Sequence, residues 1–127
     1  MALVTQIHRG GSDLQKFLEN GKILGQLRPA NTTAASLYSP ATGFVAVVTH
    51  VVVCNTTSGA VTFRVFVDSD GTTYDETTAL YFDVALAANV TTPLELNVPL
   101  NEDGNLAVRT SSGSAINFTA WGLEHST

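Results

Sequence analysis

Three histidines, one cysteine, one acidic cluster and one tryptophan are the side chains of this chain equipped for chemistry, and their spacing limits what they can do. His50 and Cys54 sit four residues apart in the run GFVAVVTHVVVC, on the same side of an extended strand. Four residues of strand span about 13 Å, whereas a thiol and an imidazole that act together need hydrogen-bond reach. The pair fails on geometry. His8 and His125 stand outside any nucleophile or metal motif. No acid, base and nucleophile set converges, so the sequence predicts a chain that is not an enzyme.

The segment Asp68-Ser69-Asp70-Gly71-Thr72-Thr73-Tyr74-Asp75-Glu76 gathers four carboxylates around a flexible glycine, the oxygen-rich composition that hard cations use. Its spacing is not that of an EF-hand: the glycine directly follows the second Asp, and no Glu stands at the twelfth position. Asp68, Asp70, Asp75 and Glu76 are therefore weak metal candidates, the simpler reading is a solvated hairpin loop, and no cofactor is implied. Trp121 faces away from Ile116 and Phe118, on the side of Asn117 and Thr119. A ring so placed can stack on a sugar, but more often it anchors a protein contact.

The elements that must position these groups are strands. GFVAVVTHVVVC and AVTFRVFVD flank the polar cluster NTTSG, and the expectation is two antiparallel neighbours joined by a hairpin, the spine of a sheet. Strict alternation puts Phe44, Ala46, Val48, His50, Val52 and Cys54 on one face and Val45, Val47, Thr49, Val51 and Val53 on the other. Neither face is polar. A half-solvated strand alternates apolar with polar residues, so both sides of this one are expected to be covered, one by a facing sheet and the other by an arm, a loop or a second subunit. Further strands are expected at ASLYS, at LYFDVAL with Leu80, Phe82, Val84 and Leu86 inward, at LELNVPL with Leu94, Leu96, Val98 and Leu100 inward, at LAVRT and at INFTAWGLE. Seven or eight short strands with frequent turn signals predict an all-β antiparallel sandwich, or its close alternative, a jelly roll. No helix-length periodic segment follows residue 33, which excludes an α/β nucleotide-binding architecture.

Two parts are expected: a docking arm over residues 1–33 and a β-sandwich over 34–127. In the arm, Ser12 can cap a short helix, DLQKFLEN, whose Leu14, Phe17 and Leu18 share one face before Asn20 and Gly21 stop it. Two turns of helix are not stable alone in water. The following Ile23, Leu24 and Leu27, ahead of Arg28, make the connection too apolar for a solvated linker, so the arm is expected to dock.

Charge points the same way. The chain carries a formal net charge of −5, yet residues 1–28 hold Arg9, Lys16, Lys22 and Arg28 against Asp13 and Glu19, while the rest sets Arg64 and Arg109 against nine carboxylates. A basic arm is thus complementary to an acidic body or lattice, and nucleic acid is a poor partner for that body. Charged residues reach only 13% of the chain, which leaves a surface of Thr, Ser, Asn and Gly suited to being covered. A single cysteine excludes an internal disulfide. The N-terminal MALVTQIHRGG lacks the continuous apolar core of a secretory signal, and no run approaches the roughly 18 apolar residues of a membrane span. A soluble protein made in a cytoplasm, with no membrane partner, is expected.

The segments VVVCNTTSGAVTFRVFV (Val51 to Val67) and Asn105 to Glu124 resemble small β-sandwich proteins of tailed bacteriophage virions. Val53-Cys54-Asn55 is similar to a recurring strand exit, and Phe118, Gly122 and Glu124 to a recurring final strand. The resemblance spans about a third of the chain and leaves out the arm. It implies a structural virion component assembled in the host cytoplasm: a capsid decoration (cement) protein that binds the major capsid protein, or a tail, collar, fibre or baseplate subunit. A homo-oligomer, with a trimer favoured, fits that implication. Leu14, Phe17, Leu18, Ile23, Leu24, Leu27, Arg28 and Trp121 are the expected partner-binding residues, and a carbohydrate-binding module is the alternative from another class.

Overall fold

The computed structural model describes residues 21–127. Among them are eight strands and no helix: β1 (Gly21–Leu27), β2 (Ala35–Tyr38), β3 (Phe44–Asn55), β4 (Val61–Asp68), β5 (Ala79–Leu86), β6 (Thr91–Leu100), β7 (Asn105–Thr110) and β8 (Ile116–Ser126). The expected all-β architecture is present among the described residues. The helix expected around DLQKFLEN lies outside the described residues.

The strands form two four-stranded antiparallel sheets, ordered β1-β8-β3-β6 and β2-β7-β4-β5. Strand pairs nest as first with last: β1 with β8, β2 with β7, β3 with β6, β4 with β5. Of the seven connections, only β4 to β5 stays within one sheet; each of the others crosses between the two layers.

This winding overturns the expected β3–β4 hairpin, because the two spine strands belong to opposite sheets. The polar cluster between them is an arch, and Asn55 holds its corner. The Asn55 amide nitrogen donates to the carbonyl oxygens of Gly59, Leu86 and Ala87, at 2.9, 3.1 and 3.1 Å. Its Oδ1 accepts from the backbone N–H and the hydroxyl of Thr57. A buried amide satisfied on both ends, at 1% exposure, fixes the crossing where a two-residue turn would have closed a hairpin.

The facing of β3 also departs from strict alternation. Its register shifts between Val48 and His50 against both neighbours; against β8 the shift is a bulge that adds one residue to β3 and exchanges its faces beyond it. Ala46 and Val48 point into the core before the bulge, and Val51, Val53 and Asn55 do so after it. The outward row is Val45, Val47, His50, Val52 and Cys54. Gly122 of β8 lies opposite Val48; a Cβ there would strike the Val47 carbonyl oxygen, so only glycine lets β8 pass the bulge. In β5, irregular pairing around Asp83 (φ 52°) turns Leu80 and Phe82 outward, correcting their expected inward placement, while Val84 and Leu86 face the core. β6 keeps its expected facing, with Leu94 and Leu100 buried and Leu96 and Val98 packed against the core. Its Pro93 and Pro99 are tolerated because β6 is an edge.

Between the sheets, Phe63 of β4 meets Phe118 of β8 edge to face at 6.3 Å, surrounded by Val48, Val51, Val65, Leu106 and Val108, all at most 1% exposed. Burying a Phe or Val side chain of this kind contributes about 1.5–3 kcal/mol each.

Candidate functional site

The outer face of the first sheet concentrates apolar surface. The outward row of β3 (Val45, Val47, His50, Val52, Cys54) runs down its middle and is half-buried throughout. On β8, Thr119, Trp121 and Leu123 face the same way. On β1, Ile23 pairs directly with Trp121 and is 57% exposed. The exposed Pro93 and Pro99 of β6 lie opposite Val52 and Val47.

At the centre of this face the His50 and Trp121 rings stack, with centroids 5.3 Å apart and planes 23° apart. The His50 Nδ1 lies 3.0 Å from the Thr49 hydroxyl, and its Nε2 is 3.9 Å from Glu95 Oε2. With the Glu95 side chain 89% exposed, that long contact contributes little. Bulge and stack are connected: the extra residue at Thr49 brings His50, rather than Thr49, opposite Trp121. One face of the indole is thereby occupied, which removes half the platform a sugar ring would use. Cys54 shares the outward row with His50 and lies two outward positions from it, so no nucleophile–base couple forms.

The other residues expected to meet partners are divided by the fold. Leu14, Phe17 and Leu18 lie outside the described residues. Leu24 and Leu27 pack partly against the core. Arg28 is engaged within the chain: its Nη2 donates to Ser114 O at 2.7 Å and to Thr56 Oγ1 at 3.0 Å, and its Nε donates to Ser114 O at 3.1 Å. It thereby clamps the exit of β1 to the β3–β4 arch and the β7–β8 turn.

The acidic segment folds on itself. Asp68 Oδ2 accepts from the amides of Thr72 and Thr73 at 2.7 and 2.6 Å, and Asp75 Oδ1 accepts from the amide and hydroxyl of Thr77 at 2.8 and 2.6 Å. The Thr73 amide foremost holds the Asp68 carboxyl below the usual range, as the Thr77 hydroxyl does for Asp75. Asp70 binds Thr72 in the same manner. Among the described residues no three metal-ligating side chains converge. The segment instead carries Tyr74 over Phe66, centroids 6.1 Å apart, so that Phe66 is buried on what would otherwise be an outer face.

One polar constellation has no sequence motif to betray it. Glu124 of β8 accepts from the Tyr38 hydroxyl of β2 at 2.7 Å and pairs with Lys22 of β1 at 2.6 Å. Lys22, then Tyr38, holds the Glu124 carboxyl below its ordinary range, while burial, reinforced by Glu124, pushes the Tyr38 phenol up. Three residues separated by up to 102 positions meet only because first and last strands pair, and the basic charge at Lys22 is met within its own chain.

No helix among the described residues is long and apolar enough to cross a membrane. No protein-family model matches the chain, and no curated protein does. Among solved structures, that of infectious bursal disease virus, Gx strain, aligns at 15% identity and a TM-score of 0.45, covering 82% of this chain and 30% of that one. The chain thus spans about a third of that protein's length. A pentameric capsid protein isolated from metagenomic phage sequences aligns at 18% identity and a TM-score of 0.45, covering 99% of this chain and 78% of that one.

Proposed function

We propose that this chain is a non-enzymatic structural subunit of a bacteriophage virion, a capsid decoration protein that binds and stabilises the lattice of major capsid protein. The observation that carries the reading is the outward row Val45, Val47 and Val52 beside Trp121, Leu123 and Ile23. A central strand with an apolar outer side is worth burying, and a stable contact of roughly 1,200–2,000 Å² is within the size of such a face plus an arm. The docking arm of residues 1–33 has two pieces in this reading: Gly21–Leu27 holds the edge of its own sheet, and residues 1–20, with Leu14, Phe17 and Leu18, reach the outer face of a neighbouring copy. A homo-oligomer, a trimer by preference, results. We further infer a jelly roll; its support is the strand order 1-8-3-6 against 2-7-4-5 with first-to-last nesting, the doubled winding of two Greek keys. Fold alone does not assign function; the sequence resemblance and the apolar face together favour the virion.

Two truncations test this, one starting at Gly21 and one at Pro29. Loss of residues 1–20 is expected to leave a cooperative sandwich that no longer binds particles, whereas loss of residues 1–28 also removes β1 and destabilises the fold. Unaltered particle binding by the shorter truncation would sink the arm's role. Copy number separates decoration from tail: hundreds per particle mark decoration, and a few to a few dozen mark a tail, collar, fibre or baseplate subunit.

A further inference from the structure

The second sheet carries an unusual pairing on its outer side. Arg64 of β4 and Arg109 of β7 stand directly opposite one another in register, and they are the only lysine or arginine residues after Arg28 in a body with nine carboxylates. Like charges directly opposite on a sheet are destabilising. Asp83 relieves half of the problem: Arg64 Nε and Nη2 donate to its two carboxylate oxygens at 2.6 and 3.1 Å, and the Arg64 guanidinium lies 3.8 Å above the Phe82 ring. The positive φ of Asp83 is part of this arrangement. The hydrogen bonds of that carboxylate go to Arg64 and foremost hold it low; Arg109 also attracts the Asp83 carboxylate and helps to hold it low. The Arg109 Nε donates to Thr32 O at 2.7 Å, and among the described residues its two Nη atoms meet no acceptor.

Between the two arginines lies an open groove of about 360 Å³, walled by Thr62, Arg64, Asp83, Arg109, Thr110 and Ser111. It is small by the standard of ligand sites but ample for one side chain. Two parallel Nη donors with hydroxyls alongside match a carboxylate end on. Asp83 spends its hydrogen bonds on Arg64 and attracts Arg109 only through space, so the unspent donors of the groove are the Nη atoms of Arg109. We propose that this groove receives a single Asp or Glu side chain presented by a protein partner, bound end on by the Nη atoms of Arg109. An acidic sugar is disfavoured, because the aromatic ring beside the groove, Phe82, already has one face under the Arg64 guanidinium. The site is separate from the apolar face of the first sheet, so it stands whether or not the decoration reading does.

The test is a nuclear magnetic resonance titration of the full chain with N-acetyl-glutamate amide, using N-acetyl-glutamine amide and glucuronate in parallel. Saturable shifts are expected at the amides of Thr62, Arg64, Arg109 and Ser111 with the glutamate probe. They should weaken with added salt and fall at least about tenfold in affinity in Arg109→Gln, the loss of one charge-assisted bidentate contact. Arg109→Lys keeps the charge without the fork and should fall between the two. Equal shifts from the glutamine probe, or binding of glucuronate alone, would overturn the proposal. These comparisons use the wild-type chain and decide the matter even if Arg109→Gln does not fold.

Discussion

Asn55 shows how much a single polar residue fixes. It ends the longest strand, is almost wholly buried, and spends its amide on three carbonyl oxygens and its Oδ1 on Thr57. Sequence alone presents it as part of a polar turn, one Asn among several, because partners at Leu86 and Ala87 are invisible from residue 55. Asn55→Ala is expected to cost about 2–4 kcal/mol, the loss of several buried hydrogen bonds that leaves carbonyl groups unpaired. Asn55→Asp should be worse than Ala despite its similar shape, since it aims a carboxylate at the oxygens of Gly59, Leu86 and Ala87. Urea unfolding of the two variants checks the order; an Asp variant more stable than the Ala variant would contradict this account of the corner. His50 and Trp121 show the complementary case. The outward aim of Trp121 is legible from period-two alternation, but its stacking on His50 is not, because that contact depends on the bulge.

At the scale of the elements, every strand but β1 is legible in the sequence, whereas strand phase is legible only where apolar and polar residues alternate. Residues Phe44 to Cys54 are apolar on both sides, so their pattern carries no phase information and cannot announce the extra residue at Thr49. In β6 the alternation of Leu94, Leu96, Val98 and Leu100 with Glu95, Asn97 and prolines does carry phase, and there the expected facing is found. In the sequence β1 is only an apolar connection, because its partner, β8, lies about a hundred residues away. Gly122→Ala is the direct test of the bulge: the added methyl meets backbone, which cannot rotate aside, and a cost of about 1–3 kcal/mol or more is expected by thermal or urea unfolding. The edge made by β1 has its own pH signature. Lys22 and Tyr38 hold Glu124 below its ordinary value of 4.5 in the folded chain, so the unfolded chain takes up this proton more readily. The stabilisation is therefore complete above the unfolded range and is lost as the pH falls through the folded value. Glu124→Gln should flatten the acid side of the stability–pH curve relative to wild type, and an unchanged slope would show that the Lys22–Glu124–Tyr38 contact contributes nothing there.

For the whole molecule, the sandwich class followed from strand count and turn spacing, whereas the winding did not, because neighbours in sequence are mostly not neighbours in a sheet. What the winding does is leave β3 central in the first sheet with Val45, Val47 and Val52 on its outer side, around the chain's one tryptophan. That makes Trp121 a built-in reporter of whatever settles on the face. If residues 1–20 of a neighbouring copy cover it, removing them exposes the indole to water: emission of the chain starting at Gly21 should move to longer wavelength than that of the full chain. The truncated chain should also bind an apolar dye such as ANS more strongly, since the valine row loses its cover. Dilution distinguishes the source of the cover. A segment supplied by a second copy dissociates by mass action, so full-length emission should shift toward that of the truncation as concentration falls. A full-length spectrum that differs from the truncation yet stays constant on dilution would place the segment on its own sheet, and identical spectra at every concentration would mean that residues 1–20 do not meet this face at all.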